Sequence, residues 1–282
     1  MSRRNSERMG GPMRSNAKPA MAQPPEGFSF VVPTDYIDLP SGGHYYPEGH
    51  PLFGKDTLEF KHMTAKEEDI LTSKTLLKKG VAIDKVIQNV IVDKSIDPDS
   101  LLVGDRNALI IGLRAASYGN TYETNLVCPA CETKVTYSFD LNNLNTYHGD
   151  DVEALDIVDR QDGTFEVELP ATKLTAVFKL LTGREEKQYL KSIEDGSKNK
   201  NGENLVSQQL MAMLVSVNGD DRLETRRYVS QNLPSMDSKH LRMAYKFANP
   251  NVDLQQQFEC SSCGHEDQLE VPLNADFFWP NR

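Results

Sequence analysis

This 282-residue sequence predicts an α+β fold in which helical modules are joined to β-hairpins and a split four-cysteine zinc ribbon ties distant parts together. Three observations predict it. Apolar residues recur with helical period in some segments and alternate with period 2 in others. The four cysteines, all that the chain contains, fall in two CxxC knuckles, Cys128-Pro129-Ala130-Cys131 and Cys260-Ser261-Ser262-Cys263. Each knuckle lies at the tip of an expected hairpin, so its two thiols converge on one point.

Residues 1–27 are set apart as a disordered basic arm. They carry Arg3, Arg4, Arg8, Arg14 and Lys18 against Glu7 and Glu26, with Gly and Pro between them. Such a composition cannot bury enough apolar surface to offset the entropy of ordering. Residues 28–56 read as an extended, turn-rich opening segment, with a strand at Phe28–Val32 and a turn at Pro40-Ser41-Gly42-Gly43.

Residues 57–118 form a helical module after a strand at Thr57–Phe60. Thr64-Ala65-Lys66-Glu67 has the capping-box pattern and opens a helix expected to run to about Lys79. A second helix spans Ile83 to about Ile91, with Ile83, Val86, Ile87 and Val90 on one face. Asp97-Pro98 breaks the chain, and a third helix runs over about Gly104–Tyr118. Its Arg106 and Arg114 lie two turns apart, which places them on one face. The usual behaviour of helix charges makes that face a solvated basic stripe, and ion pairing to a docked element is the alternative.

The first knuckle occupies residues 119–145, where Val135, Tyr137 and Phe139 alternate with polar residues. A β-hairpin segment follows at 146–182, with Phe165–Leu169 and Leu174–Leu181 as partner strands. Residues 183–250 are a second helical module, interrupted by a polar loop over Glu194–Asn204. The second knuckle and an aromatic end, Phe277-Phe278-Trp279, complete residues 251–282. That end is expected to pack on the body of the protein, because exposed aromatic patches of this size are rare.

Two CxxC turns supply the four soft ligands of a tetrahedral Zn²⁺ site. Gly264 lets the chain turn tightly behind the second pair. Three other readings compete. A thioredoxin-type redox pair needs only one CxxC, at a helix N-terminus. A disulfide pair suits a secreted protein, whereas residues 1–27 lack the apolar core of a signal peptide. Two separate metal sites need further ligands, for which His265 and the distant His148 are the candidates. The reading adopted is one closed, structural Zn²⁺ held by Cys128, Cys131, Cys260 and Cys263. His44, His50 and His62 match no helical ligand spacing and read as exposed loop histidines. Asp97 and Asp99 around Pro98 read as a turn rather than a calcium loop.

A net charge of −10 argues against general binding of a nucleic-acid backbone, and no apolar run is long enough for a membrane span. With neither signal nor span, synthesis in a cytosol-like compartment is expected. No P-loop, dinucleotide-binding glycine motif, HExxH or GxSxG is present, and the thiols are committed to metal. The chain is therefore expected not to be an enzyme.

The ordered set Leu39-Pro40-Ser41-Gly42-Gly43-x-Tyr45, Thr64-x-x-Glu67-Glu68-x-Ile70-Leu71, Gly104-Asp105-Arg106, Leu113-Arg114, Tyr118-Gly119, CPxC, the late CxxCG and the FFWP end resembles the baseplate hub subunits of T4-like contractile-tailed bacteriophages. The resemblance covers most of residues 36–280. It implies a non-enzymatic structural subunit of the tail baseplate hub, made in the host cytoplasm and carried in the virion. Other tail and baseplate proteins are the implied partners, with a homo-oligomer as a further possibility and neither nucleic acid nor membrane among them. The alternative is an assembly factor for the hub that is not retained in the particle.

Overall fold

The computed structural model describes residues 30–78, 80–198, 204–273 and 275–278, and residues 33–282 form one compact unit. The basic arm and Trp279 lie outside the described residues. Residues 30–32 carry no strand; the first strand starts after Pro33, as β1 (Thr34–Asp38), antiparallel to β2 (Thr57–Lys61). Pro33 has no amide hydrogen to give to a ladder, and it separates the expected strand from the observed one.

The helix expected from Thr64 to Lys79 is two helices, α1 (Ala65–Thr72) and α2 (Lys74–Lys78). Its start is as expected, since the Glu67 carboxylate accepts from the Thr64 amide at 3.0 Å and hydroxyl at 2.6 Å. The break falls where the Thr72 hydroxyl donates back to the Glu68 and Asp69 carbonyls and Ser73 turns extended. Such local bonds compete with the helical ladder. Next come α3 (Ala82–Val90), a 3-10 turn at Pro98–Ser100 capped by the Asp97 carboxylate, and α4 (Val103–Tyr118).

Helix α4 is buried along most of its length, with Leu109, Leu113 and Arg114 fully covered. Its start passes so close to Pro250 that a Cβ on Gly104 would lie 1.9 Å from the Pro250 carbonyl oxygen, which only glycine permits. The next residue, buried Asp105, accepts from the Ser41 amide (3.0 Å), the Ser41 hydroxyl (2.6 Å) and the Tyr46 hydroxyl (2.7 Å). Tyr46 in turn accepts from the Leu102 amide at 3.1 Å. The Ser-Gly-Gly turn is thus clasped to the N-terminal end of α4.

Arg106 and Arg114 do not form a solvated stripe. Arg106 is half-buried and pairs with Asp84 of α3 at 3.1 Å and Glu186 at 3.7 Å. Arg114 is fully buried and donates to three carbonyls, those of Phe277 (2.9 Å), Gly119 (2.9 Å) and Thr121 (3.1 Å). The rings of Tyr118 and Tyr122 flank its guanidinium at 5.2 and 6.0 Å. Burial lowers its pKa, and the neighbouring tyrosines offset only part of that. Helical spacing places two side chains on a face but not what covers that face.

Beyond α4 lie the hairpin β3 (Thr121–Val127) and β4 (Lys134–Asp140), then β5 (Asn145–Tyr147). A four-stranded antiparallel sheet follows in the order β6 (Val158–Asp159), β7 (Thr164–Glu168), β8 (Thr175–Lys179) and β9 (Leu214–Val217). Between β8 and β9 come α5 (Gly183–Lys198) and α6 (Leu205–Met213), so helix replaces loop over residues 194–198. β9 lies inside a stretch read as helical. It is four residues long, and its ladder partner β8 is distant in sequence. After it come α7 (Leu223–Asn232), α8 (Ser235–Ala248) and β10 (Asn251–Asp253), which pairs with β5. The hairpin β11 (Gln255–Glu259) and β12 (Glu266–Glu270) precedes a 3-10 turn in which Phe277 and Phe278 are buried.

The buried Asp237 of α8 accepts from the Ala171 and Thr172 amides and the Thr172 hydroxyl, at 2.6 to 2.9 Å, and so fixes the β7–β8 turn. Burial alone would raise its pKa, but these donors hold it below the usual carboxylate value. Its contribution to stability is therefore present above about pH 4 and is lost as pH falls through the folded pKa. Asp237→Asn is expected to cost about 1–3 kcal/mol at neutral pH and to flatten the acid limb of stability against pH, read by urea unfolding. Arg114→Lys, which cannot reach three carbonyls in a planar fork, is expected to cost about 2–3 kcal/mol by the same measurement.

Candidate metal centre

The β3–β4 hairpin turns through Cys128–Cys131 and the β11–β12 hairpin through Cys260–Cys263. Both turns use the same bonds. The Cys128 amide donates to the Thr133 carbonyl at 3.0 Å, and the Glu132 amide donates back to the Cys128 carbonyl at 2.9 Å. In the second knuckle the Cys260 amide donates to the His265 carbonyl at 2.9 Å, and the Gly264 amide to the Cys260 carbonyl at 2.8 Å. The residue after each CxxC is left-handed, Glu132 at φ 56° and Gly264 at φ 68°. Overlaying the two knuckles in sequence matches Glu132 with Gly264, the one signal that would have shown this demand at Glu132.

The hairpins meet side by side. Tyr137 of β4 donates its hydroxyl to the Gln257 carbonyl at 2.6 Å and sets its ring against Phe258 at 5.1 Å. Gln256 bonds the Asp140 amide and carbonyl through its side-chain amide. These contacts, which sequence reading did not identify, align the two tips. The apolar cluster around Cys128, Val135, Phe258 and Cys260 lies directly beneath them.

All four sulfurs lie within 4.8 Å of one another. Across the hairpins, Cys128 Sγ is 3.8 Å from Cys263 Sγ and Cys131 Sγ is 3.9 Å from Cys260 Sγ. Four sulfurs about 2.3 Å from one tetrahedral zinc would be about 3.8 Å apart, so the donor set fits that ion. Acidities diverge within the cluster. The Thr133 hydroxyl and amide draw Cys131 down to about 6. The His265 amide lowers Cys263, but the neighbouring thiols and burial outweigh it and push this thiol up to about 12. Thiolates crowded this closely repel one another, and a divalent cation removes that obstacle to full ionisation.

The four sequence-predicted cysteines are therefore brought together, and the two-site reading gains no support. His148 bonds the Pro40 carbonyl through Nδ1 at 3.0 Å, and His265 faces Asp267 at 3.8 Å. Among the described residues, no histidine joins a group able to hold a metal. His50 is not an exposed loop histidine: it is half-buried, stacked on Tyr46 at 4.4 Å and bonded to Ser100 at 2.8 Å. Asp97 and Asp99 form the expected turn, where they face Arg184 and Lys187.

Fold and centre together define a mixed helix-and-sheet protein in which two antiparallel hairpins from distant parts of the chain meet at four thiols. The family model described as T4 bacteriophage base plate protein matches residues 34–279, and the chain belongs to that family. It is thus a structural protein of a phage baseplate, a part of the virion tail, with other tail proteins as its natural partners. No helix among the described residues is long and apolar enough to cross a membrane. No curated protein and no solved structure matches the chain.

Because Glu132 occupies a left-handed position, Glu132→Gly is expected to stabilise the protein by about 0.5–1 kcal/mol, the strain relieved exceeding the added unfolded-state entropy. Urea midpoints of the two proteins check this.

Proposed function

We propose that this chain is a non-enzymatic subunit of the baseplate hub of a contractile phage tail, whose Cys128, Cys131, Cys260 and Cys263 hold one structural Zn²⁺. The convergence of four sulfurs from two hairpins carries the metal part of the reading. The family supports a baseplate role, and the ordered set of motifs supports the hub. Bound zinc would neutralise the thiolates and fix the two tips against each other. Tyr137 and Phe258 would exclude water from beneath the cluster, and the knuckle amides would orient the sulfurs. The ring of thiols is closed by protein ligands and leaves no coordination position for a substrate. The hairpins then serve as a rigid support for docking to other tail proteins.

Metal analysis of purified protein is expected to give one zinc per chain. Cys131→Ser and Cys260→Ser are each expected to abolish that stoichiometry and to loosen both hairpins together in hydrogen exchange, because one ion serves both. Zinc near zero in the unmodified protein, or full zinc in either variant, overturns the single-site reading. Mass spectrometry of purified virions is expected to find the chain at stoichiometric copy number. Its absence there would favour a transient hub assembly factor instead.

A further inference from the structure

The four thiols are unequally exposed. Cys128 and Cys260, the first residue of each knuckle, are 0 % and 2 % exposed, whereas Cys131 is half-buried and Cys263 is open to solvent. Each accessible sulfur has a buried one across the seam between the hairpins. Cys263 faces Cys128 at 3.8 Å, and Cys131 faces Cys260 at 3.9 Å. All four lie within 4.8 Å of one another, so each accessible sulfur is also near the buried one of its own knuckle.

Two features favour the pairs across the seam. Within a knuckle the backbone is fixed by the bonds from the Glu132 amide to the Cys128 carbonyl and from the Gly264 amide to the Cys260 carbonyl. A disulfide needs its sulfurs about 2.05 Å apart and a Cβ–S–S–Cβ dihedral of about 90°. Closing one inside so short a turn strains that backbone, whereas closing one across the seam draws together side chains from two facing ribbons. Loop length acts in the same direction. The facing pairs are 135 and 129 positions apart in sequence, and a link across a long loop stabilises a fold more than one across a four-residue turn. By the same thermodynamic cycle, the folded chain favours the long-range link.

We propose that this cluster is also a thiol-oxidation site, which hydrogen peroxide converts to two disulfides across the hairpins, Cys128–Cys263 and Cys131–Cys260. The proposal builds on the reading of the four thiols as one metal site. Peroxide reaches Cys263 or Cys131 from solvent; its O–O bond breaks, the sulfur becomes a sulfenic acid and hydroxide leaves. The buried thiolate opposite then attacks that sulfur, the S–S bond forms and the second oxygen leaves as hydroxide. Each disulfide thus takes two electrons from two thiolates and reduces one peroxide, giving two waters once two protons are taken up. A sulfur in a disulfide is no longer a thiolate ligand, so oxidation also discharges the metal. Tyr137, bonded to the Gln257 carbonyl and packed on Phe258, keeps the facing sulfurs aligned below the tips. The hairpins therefore stay joined, now by covalent links. Disulfides persist in oxidising surroundings such as those outside a cell, so the staple outlasts its metal there.

The test treats zinc-loaded, full-length protein with hydrogen peroxide and then blocks remaining thiols with N-ethylmaleimide. Zinc content, disulfide mapping by mass spectrometry without reduction, and hydrogen exchange of both hairpins are read. Zinc is expected to be lost, Cys128–Cys263 and Cys131–Cys260 to dominate the map, and hairpin exchange to stay within about threefold of the zinc-loaded protein. Reduced protein stripped with a chelator is expected to exchange more than about tenfold faster in both hairpins. Cys128→Ser/Cys263→Ser keeps one facing pair and is expected to form the Cys131–Cys260 link alone; should it not fold, the parent's map decides. Predominant Cys128–Cys131 and Cys260–Cys263 disulfides overturn the proposal. So do thiols that stay reduced, sulfinic or sulfonic acids without links, links between chains, or oxidised hairpins that exchange as fast as stripped ones. Zinc absent before oxidation sinks the metal reading instead, and the disulfide map of that same protein still decides the pairing.

Discussion

Helix α4 is held near each end by a buried polar side chain whose partners come from elsewhere in the chain. Near its start, Asp105 gathers Ser41 and Tyr46; in its last turns, Arg114 gathers the carbonyls of Gly119, Thr121 and Phe277. Each group would be costly to bury alone, and each is made tolerable by several directed hydrogen bonds. The arrangement links the first turn of the folded unit, the first hairpin and the last described residues to one rod. Apolar packing around Leu109 and Leu113 supplies the bulk of the adhesion, while the polar contacts specify which segments lie where.

The thiol cluster works at a longer reach. Hairpins β3–β4 and β11–β12 are each small, and a two-stranded ribbon has little stability by itself. Tyr137, Phe258 and Gln256 bring the ribbons together below their tips, and the four sulfurs meet above. The first hairpin leaves α4 through Gly119 and Thr121, both of whose carbonyls Arg114 holds. The route from Cys128 to the buried helix is therefore short, so a constraint at the tips bears on the core.

The residues that carry the family likeness have structural reasons. Gly104 clears the Pro250 carbonyl, Asp105 clasps the Ser-Gly-Gly turn, Arg106 joins α3 to α5, and Arg114 anchors the aromatic end. These positions record how the body of the subunit is assembled.

Local signals in the sequence determined the element types wherever a helix or strand was periodic and well bounded. The Thr64 capping box, the Gly119 stop of α4, the β7–β8 hairpin and the paired CxxC turns are of this kind, because caps, turns and knuckles depend on neighbouring residues alone. The four candidate ligands were legible for the same reason. Their pairing also led to the expectation of one shared site, and the knuckles do meet. Tertiary structure alone decided that β9 joins β8 and β10 joins β5, and that Arg114 is enclosed while Arg106 pairs across helices. It also decided that His50 stacks on Tyr46 instead of facing solvent. Each of these outcomes depends on a partner far away in sequence, and periodicity shows which side of an element is apolar or charged but not what will cover it.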